Sequence, residues 1–325
     1  MHTEIPKAEQ LANQVFSIAN HTDFESTALA VFQFQYYNNP VYRQYCNLLK
    51  KEPQQVSRIN EIPFLPISFF KSHDVVTTSF QPQVLFQSSG TTGQQQSRHM
   101  VKDVALYTKS FQKGFETFYG NPQQYCILGL LPSYLERGQS SLVYMVNNLI
   151  EQSGHPQSGF YLYDLEKLAQ TLKDLEAAGQ PTLLIGVTYA LLDFAESHPM
   201  SLKHTLIMET GGMKGRKKEL VRADVHALLK NAFKVPHIHS EYGMTELLSQ
   251  AYAQKDGLFQ TPPWMKVYLR YEDDPLSLTT DANTGGINVI DLANIYSCAF
   301  IATEDVGRTM PDGTFTVLGR LDHAE

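Results

Sequence analysis

The sequence predicts an α/β protein, with mostly parallel sheets flanked by helices and a β-rich, distorted-barrel subdomain near its C-terminal end. Apolar runs alternate with amphipathic helical patterns over residues 81–250, which is typical of a parallel sheet covered on both faces. Short strands separated by turn signals follow in residues 251–325. A chain of 325 residues is also long enough to form two or more packed lobes.

Three regions are expected along the chain. Residues 1–80 are rich in Phe, Tyr and Gln and show a helical pattern over 9–19, so they should form a helical and turn-rich layer of the same lobe. Residues 81–250 should form the α/β core, and residues 251–325 should form the β-rich subdomain.

Hydrophobic periodicity predicts the individual elements. Core strands are expected at residues 84–86, 126–131, 160–163, 183–185 and 205–208. Helices are expected at residues 104–119 and 140–152, and a further helix carries Leu165, Leu168, Leu172 and Leu175 on one face. Strands of the C-terminal subdomain are expected at residues 266–271, 287–292, 298–303 and 314–318.

The composition argues against two classes of function. A formal net charge of −7 is unlike that of a nucleic-acid scaffold, which normally carries a basic face. The most apolar stretch, residues 182–192, is shorter than the roughly 18 residues of a membrane span and ends at Asp193. Cys46, Cys126 and Cys298 are few and far apart, as in proteins of reducing compartments. Without a signal-peptide pattern, the protein is expected to be cytoplasmic, with no nucleic-acid partner and no membrane span.

A loop rich in Ser, Gly and Thr follows the first core strand and suggests a phosphate site. Its residues are Ser88, Ser89, Gly90, Thr91, Thr92 and Gly93. Glycines let the backbone approach a polyanion closely, and hydroxyl groups add hydrogen-bond donors. The loop is not a Walker A motif, because no Gly-Lys-Ser/Thr follows at the required spacing. A flexible Ser/Gly linker is the alternative interpretation.

Two further polar segments follow predicted strands. Glu246 ends the segment 240–246 and could hold Mg²⁺ together with phosphate oxygens, while Tyr242 offers a flat face for a nucleobase. The segment 209–212 is rich in glycine and also stands at a strand end, where ligands of open α/β sheets bind. Ordinary turns are the alternative, and the segments can share one ligand only if their strands are neighbours.

His237 and His239 are spaced to lie on one face of a predicted strand, where two imidazoles could ligate zinc. No third ligand follows at a recognisable spacing in the sequence. Packing at the end of the strand is therefore the favoured interpretation of these two residues.

Taken in order, the motifs resemble those of the adenylate-forming superfamily, which contains acyl-CoA synthetases, peptide-synthetase adenylation domains and firefly luciferase. The resemblance rests on the loop 88–93, the segment 242–246 and the segment 318–320, and it covers roughly residues 60–325. It implies the fold of the large N-terminal lobe of such enzymes, with residues 81–250 as the nucleotide-binding core. The small C-terminal lobe of the family is expected to be absent from this chain.

Other segments narrow the resemblance. Residues 132–138 are similar to the acyl-pocket motif of the superfamily, and residues 303–305 are similar to its ribose-binding Thr-Gly-Asp. Residues 62–71, together with 131–134, are most similar to the acyl-protein synthetase of bacterial bioluminescence and next to phenylacetate-CoA ligases.

The resemblance also implies a role for each motif residue. The triphosphate of ATP would lie on Ser88, Ser89, Gly90, Thr91, Thr92 and Gly93. The rest of the nucleotide would contact Gly211, Gly212, Glu241, Tyr242, Gly243, Met244, Thr245, Asp305 and Arg320. Glu246 would hold Mg²⁺, and the acid would contact Tyr134, Leu135 and Gly138. The residues expected to act in catalysis are Thr92, Arg98, Thr245, Glu246 and Arg320.

The implied activity is ATP-dependent activation of a carboxylic acid to an acyl-adenylate, with release of pyrophosphate. The acid would be apolar or fatty, and the acyl group would pass to a thiol of coenzyme A or of a protein, with an acyl-acceptor or reductase protein as partner. The alternative is a catalytically weak nucleotide- or acyl-binding subunit of a larger acyl reductase or transferase complex.

Several positions depart from the family pattern. Gln96 stands where the phosphate loop of the family usually ends in Lys, so that charge must come from Arg98 or be absent. Leu135 replaces the His common in acyl-CoA ligases, and Glu304 replaces the middle Gly of Thr-Gly-Asp. Cys298 lies in an apolar run and is expected to be a buried structural thiol rather than an acyl acceptor.

Overall fold

A computed structural model of the protein describes residues 7–88, 95–132, 138–211, 220–279 and 284–321. Its α-helices are α1 (Ala8–Val15), α2 (His21–Asn38), α3 (Pro40–Leu48), α4 (Phe69–Ser72), α5 (Val104–Tyr119), α6 (Ser141–Ser153), α7 (Leu165–Ala178), α8 (Thr188–Ser197) and α9 (Arg222–Phe233). Its strands are β1 (Leu65–Pro66), β2 (Val84–Gln87), β3 (Arg98–Val101), β4 (Cys126–Leu130), β5 (Gly159–Phe160), β6 (Thr182–Val187), β7 (Thr205–Thr210), β8 (His239–Tyr242), β9 (Ala251–Ala253), β10 (Phe259–Gln260), β11 (Met265–Arg270), β12 (Leu278–Thr279), β13 (Gly285–Asp291), β14 (Phe300–Thr309) and β15 (Phe315–Arg320).

The predicted α/β class is confirmed. Helix α5 has the predicted bounds, and the expected core strands appear as β2, β4, β5, β6 and β7. The apolar stretch 182–192 divides into β6 and the beginning of α8. Strand β6 is buried at each of its positions, as is typical of a parallel strand, and this explains its continuous apolar run. None of the helices in the described part of the chain is long and apolar enough to cross a membrane.

The N-terminal layer contains two helices whose bounds the hydrophobic pattern did not predict. Helix α2 follows Asn20, whose side chain accepts a hydrogen bond from the Asp23 N–H, and α3 has Pro40 at its first position. Helix α2 buries polar residues as well as apolar ones, which weakens its amphipathic pattern. Gln35 is fully buried because it donates to the carbonyls of Asn294 and Ile295 and accepts from a backbone N–H.

The chain forms two compact units. The first comprises residues 1–111, 244–249 and 261–325. Its sheet has the strand order β12-β11-β13-β14-β15, joined by antiparallel pairings, and β1 adds to β14 in parallel. Strands β2 and β3 form a separate antiparallel hairpin, so the first predicted core strand does not belong to the parallel sheet.

The second unit comprises residues 112–243 and 250–260. Its strand order is β10-β9-β8-β7-β6-β4-β5, in which the run from β8 to β5 is parallel and β9 and β10 are antiparallel. Helices return the chain between parallel strands, so the carboxyl ends of those strands share one edge. Strand β8 begins at His239, and therefore His237 lies outside the strand on which both histidines were predicted.

Candidate functional site

In the second unit, the carboxyl ends of β7 and β8 lie side by side. The strands pair in parallel with Thr210 opposite Glu241. Gly211 follows β7 with φ of +69°, a conformation that glycine adopts without steric cost. The Thr188 hydroxyl donates to the Gly211 carbonyl over 2.7 Å and so fixes the turn. Residues 209–211 and 240–243 therefore meet at one edge of the sheet.

A buried carboxylate, Glu209, organises this edge. Its oxygen Oε1 lies 3.0 Å from Arg222 Nε and 3.6 Å from His226 Nε2. Burial alone would raise the pKa of Glu209, but the hydrogen bond from His226 and the charge of Arg222 outweigh burial and lower that pKa. The Arg222 guanidinium also lies 5.0 Å from the centroid of the Phe259 ring. Glu209 is thus held as a charged group at the strand end.

The pKa of Glu241, on the neighbouring strand, is shifted in the opposite direction. Burial raises the pKa of its carboxyl to about 7, the charge of Glu209 adds to the rise, and a hydrogen bond from the Thr210 hydroxyl opposes it. Gly243 leaves room for this carboxyl, because a Cβ at that position would collide with Glu241 Oε1 and lie 3.2 Å from Gln250 Cγ. The two carboxyls of this edge therefore differ in protonation near neutral pH.

Tyr242 packs within the second unit. Its ring centroid lies 5.9 Å from that of Phe259, and 7% of the residue is exposed. His239, three residues earlier, is also buried, and its Nδ1 lies 3.2 Å from the Tyr119 hydroxyl. Burial lowers the pKa of His239 to about 4, so its imidazole is neutral. These contacts agree with the packing interpretation of His239.

In the first unit, the loop that carries Glu246 is held by a buried carboxylate. Asp291 accepts hydrogen bonds from the N–H groups of Leu248 (2.7 Å) and Ser249 (2.9 Å) through Oδ2. Its other oxygen, Oδ1, accepts from the Ser249 hydroxyl and from the Ala293 N–H. Asp291 is fully buried, and burial raises its pKa although these hydrogen bonds oppose the rise. Sequence reasoning did not single out this residue.

Two further side chains hold the backbone next to Glu246. Asn294 Nδ2 donates to the Glu246 carbonyl over 2.7 Å, and His99 Nδ1 lies 2.8 Å from the Thr245 carbonyl. Because a carbonyl can only accept, His99 carries its proton on Nδ1. Burial lowers the pKa of His99 to about 4, although the hydrogen bonds to Thr245 and Asn294 oppose that change. The backbone around Glu246 is therefore fixed on both sides.

The Glu246 carboxyl is buried beside groups of both charges. Burial raises its pKa, a hydrogen bond with Ser97 and the charge of Lys71 lower it, and the charge of Glu304 raises it further. Lys71 Nζ lies 3.8 Å from Glu304 Oε1, and the exposed fractions of the two side chains are 42% and 25%. Lys71 is the last residue of the segment 62–71 that carried the resemblance, but sequence reasoning assigned it no role.

Four other residues of the predicted site, Asp305, Arg320, Arg98 and Ser88, make contacts within the first unit. Asp305 pairs with Arg320 across β14 and β15, with 3.9 Å between Arg320 Nε and Asp305 Oδ1. Arg98 forms an ion pair of 2.7 Å with Asp74 on the surface. Ser88 accepts a hydrogen bond from the Ser97 N–H through its hydroxyl, which closes the base of the Ser/Gly/Thr loop.

Some predicted residues lie outside the described part of the chain: Ser89, Gly90, Thr91, Thr92, Gly93, Tyr134, Leu135 and Gly212. Met244 and Thr245 stand in a turn closed by the Leu247 N–H and the Met244 carbonyl, and Gly138 stands in a turn before α6. Among the described residues there is no group of three or more His, Cys, Asp or Glu that could hold a metal ion. Cys298 is a buried free thiol, as expected.

The family model of acyl-protein synthetases, LuxE, matches residues 16–316. The chain belongs to the acyl-protein synthetase family. No curated protein matches the chain.

Solved structures similar to this acyl-protein synthetase family member show its fold. A 2-hydroxyisobutyryl-CoA ligase in its postadenylation state is 10% identical, with a TM-score of 0.64 over 94% of this chain and 69% of that one. ATP-bound MatB from Rhodopseudomonas palustris is 17% identical, with a TM-score of 0.55 over 73% of this chain and 47% of that one. The luciferase-like enzyme of the mealworm Zophobas morio is 16% identical, with a TM-score of 0.51 over 77% of this chain and 60% of that one. The chain thus spans about half of MatB, and the predicted fold of an adenylate-forming N-terminal lobe is confirmed.

Asp291→Asn should destabilise this family member by about 2–3 kcal/mol, because an amide N–H₂ would face backbone N–H groups that now donate to a carboxylate. Denaturant unfolding at neutral pH measures the change. Asp312→Asn is the matched control, since Asp312 is an exposed carboxylate that accepts two hydrogen bonds from Thr314. Equal unfolding midpoints for the two variants would contradict the bracing role of Asp291.

Glu241→Gln should flatten the pH dependence of stability. A folded-state pKa of about 7, above the ordinary 4.5, means that the folded chain binds more protons between these values, so stability falls as pH rises through 7. The variant should remove a loss on the order of 2–3 kcal/mol between pH 5 and pH 8. Unfolding free energies at both pH values measure it, with Glu116→Gln, an exposed change on α5, as control. Parallel pH profiles of wild type and Glu241→Gln would refute the assignment.

Proposed function

We propose that the protein activates a carboxylic acid with ATP and then passes the acyl group to a thiol. A carboxylate oxygen bonds to the α-phosphorus while the bond to the bridging oxygen breaks, and pyrophosphate leaves with the electron pair. The thiol sulfur then bonds to the acyl carbon, the carbon–oxygen bond of the adenylate breaks, AMP leaves, and the thiol proton passes to solvent. The acid is already ionised at neutral pH, so the first step requires no strong general base.

The observation that carries the proposal is the fixed position of Glu246 within a family whose model covers residues 16–316. Asp291, Asn294 and His99 hold the loop around a buried carboxyl. Such bracing positions a charged group before the reacting atoms arrive, which is how electrostatic catalysis is achieved at low reorganisation cost. On this proposal the loop 88–93 receives the triphosphate, Tyr242 lies along adenine, and Asp305 and Arg320 lie near the ribose.

The residues present fit Mg²⁺. This ion is usually bound through one or two carboxylates plus phosphate oxygens, and the surroundings of Glu246 offer its carboxyl with Glu304 close by. Bound there, Mg²⁺ would neutralise charge on the triphosphate.

Lys71 is proposed to supply the positive charge that Gln96 does not. Arg98, the sequence-based choice for this role, is paired with Asp74 on the surface. Lys71 instead lies near both Glu246 and Glu304, where a triphosphate bound to Glu246 through Mg²⁺ would come within reach of an ammonium group. This proposal accounts for the departures at Gln96 and Glu304 together.

An apolar or fatty acid is proposed as substrate, and coenzyme A or a protein cysteine, on an acyl-acceptor or reductase partner, is proposed as acceptor. The three cysteines of this chain are buried free thiols, and burial raises the pKa of Cys298, which supports an external acceptor thiol. Free thiols also support the proposed cytoplasmic location.

Pyrophosphate exchange into ATP tests the function, with fatty acids of different lengths and phenylacetate as substrates. Glu246→Gln should lower exchange by roughly 10²-fold or more, because a charged group that acts on the nucleotide is replaced by a neutral amide of the same shape. Glu116→Gln, on the surface of α5, is the control. If ATP raises the melting temperature but no acid supports exchange, the protein is a nucleotide-binding subunit rather than a ligase.

Lys71→Ala should raise KM for ATP and lower kcat/KM roughly tenfold or more, while Lys71→Arg should retain most of the activity because it keeps the charge. Steady-state kinetics with varied ATP measure both values. Lys113→Ala, which removes an exposed Lys on α5, is the control. A larger loss in Arg98→Ala than in Lys71→Ala would return the role to Arg98.

A further inference from the structure

A polar spot lies in the second unit on the face of β8 opposite to Tyr242. Side chains alternate along a strand, so Glu241 and Gly243 share one face and Tyr242 points to the other. The antiparallel register, in which Tyr242 faces Ala251, continues to place Gln250 opposite Gly243. Gln250 Cγ would lie 3.2 Å from a Cβ on Gly243, so Gln250 and Glu241 both lie beside Gly243, and both are buried.

This buried spot includes an acceptor oxygen of each of the two side chains. Gln250 is 5% exposed, and no donor among the described residues reaches its Oε1. Glu241 uses Oε2 to accept from the Thr210 hydroxyl, while its Oε1 lies over Gly243. Buried acceptors in native proteins are normally hydrogen-bonded, so a donor is expected here.

We propose that Glu241 and Gln250 form a subsite that accepts a hydrogen bond from a hydroxyl group on the carboxylic acid substrate. The inference rests on the proposed function and narrows its substrate to hydroxylated acids. The acid rather than the nucleotide is the occupant, because the proposed adenine contact, Tyr242, points to the opposite face of the strand.

The neighbours of the subsite describe the rest of the substrate. The ring centroid of Tyr252 lies 5.4 Å from that of Tyr119 and 5.4 Å from that of Phe118. Tyr119 is close enough to Glu241 for the carboxylate to contribute to the rise of its pKa. Aromatic rings around one polar spot suit an acid with an apolar or aromatic body and a single hydroxyl group.

The test compares acids in matched pairs by pyrophosphate exchange. The pairs are octanoate with its 2-hydroxy and 3-hydroxy derivatives, and phenylacetate with 4-hydroxyphenylacetate. Wild type should use the hydroxylated member of one pair with a kcat/KM at least roughly tenfold higher, since a site built to bind a hydroxyl discriminates against an analogue that lacks it. Gln250→Met, which removes the acceptor at similar volume, should reduce this ratio to near one.

Two other variants separate recognition from packing. Glu241→Gln replaces an acceptor oxygen of the subsite with an amide and adds an N–H₂ donor beside Gly243, so the hydroxyl preference should disappear although the protein remains folded. Gln250→Glu keeps acceptor oxygens and should retain the preference even if Gln250→Met does not fold. Gln112→Met, the same substitution at a position hydrogen-bonded to Asn148, is the matched control and should leave the ratio unchanged.

The outcomes distinguish this inference from the proposed function. Exchange with plain and hydroxylated acids at equal rates, or a preference that survives Gln250→Met, would overturn the inference and leave the ligase activity intact. Absence of exchange with every acid would overturn the ligase activity. In that case, thermal stabilisation by the acids alone still tests the subsite: stabilisation by a hydroxylated acid that Gln250→Met removes supports it, and equal shifts reject it.

Discussion

Asp291 accepts hydrogen bonds from two backbone N–H groups and a hydroxyl of residues 248 and 249, and this interaction fixes the loop that carries Glu246. A fully buried carboxylate without several donors would be costly, so the loop and Asp291 stabilise each other. Asn294 and His99 extend the bracing to the backbone on the other side of Glu246. The position of the proposed metal ligand therefore depends on Asp291, Asn294 and His99.

The second unit uses carboxyl groups differently. Glu209 stays charged because Arg222 and His226 face it. Burial raises the pKa of Glu241 to about 7, and the hydrogen bond from the Thr210 hydroxyl offsets only part of that rise. Two carboxyls on adjacent strands can coexist at a buried sheet edge when the pKa of one of them is raised toward neutrality. The charged member organises the strand ends, and the other remains able to accept or donate a hydrogen bond.

The departures from the family pattern gain a physical account when charges are compared. Glu304 adds a negative charge where a glycine is usual, and Lys71 lies within ion-pair distance of it. Gln96 stands where the proposed phosphate loop would end in Lys, and the charge of Lys71 opposes the rise in the pKa of Glu246. Because these residues are distant in sequence, their relation follows from folding and not from any motif.

The sequence by itself determined the α/β class, most core elements and the family, because these depend on local periodicity and on motifs of contiguous residues. It also determined the residue types of the proposed nucleotide site, such as Glu246 and Asp305. Only the tertiary structure decided that β2 and β3 form a hairpin, that Asp291 braces the Glu246 loop, and that Gln250 lies beside Glu241. Those contacts join residues up to tens of positions apart, where burial and hydrogen-bond satisfaction, rather than local pattern, select the partner.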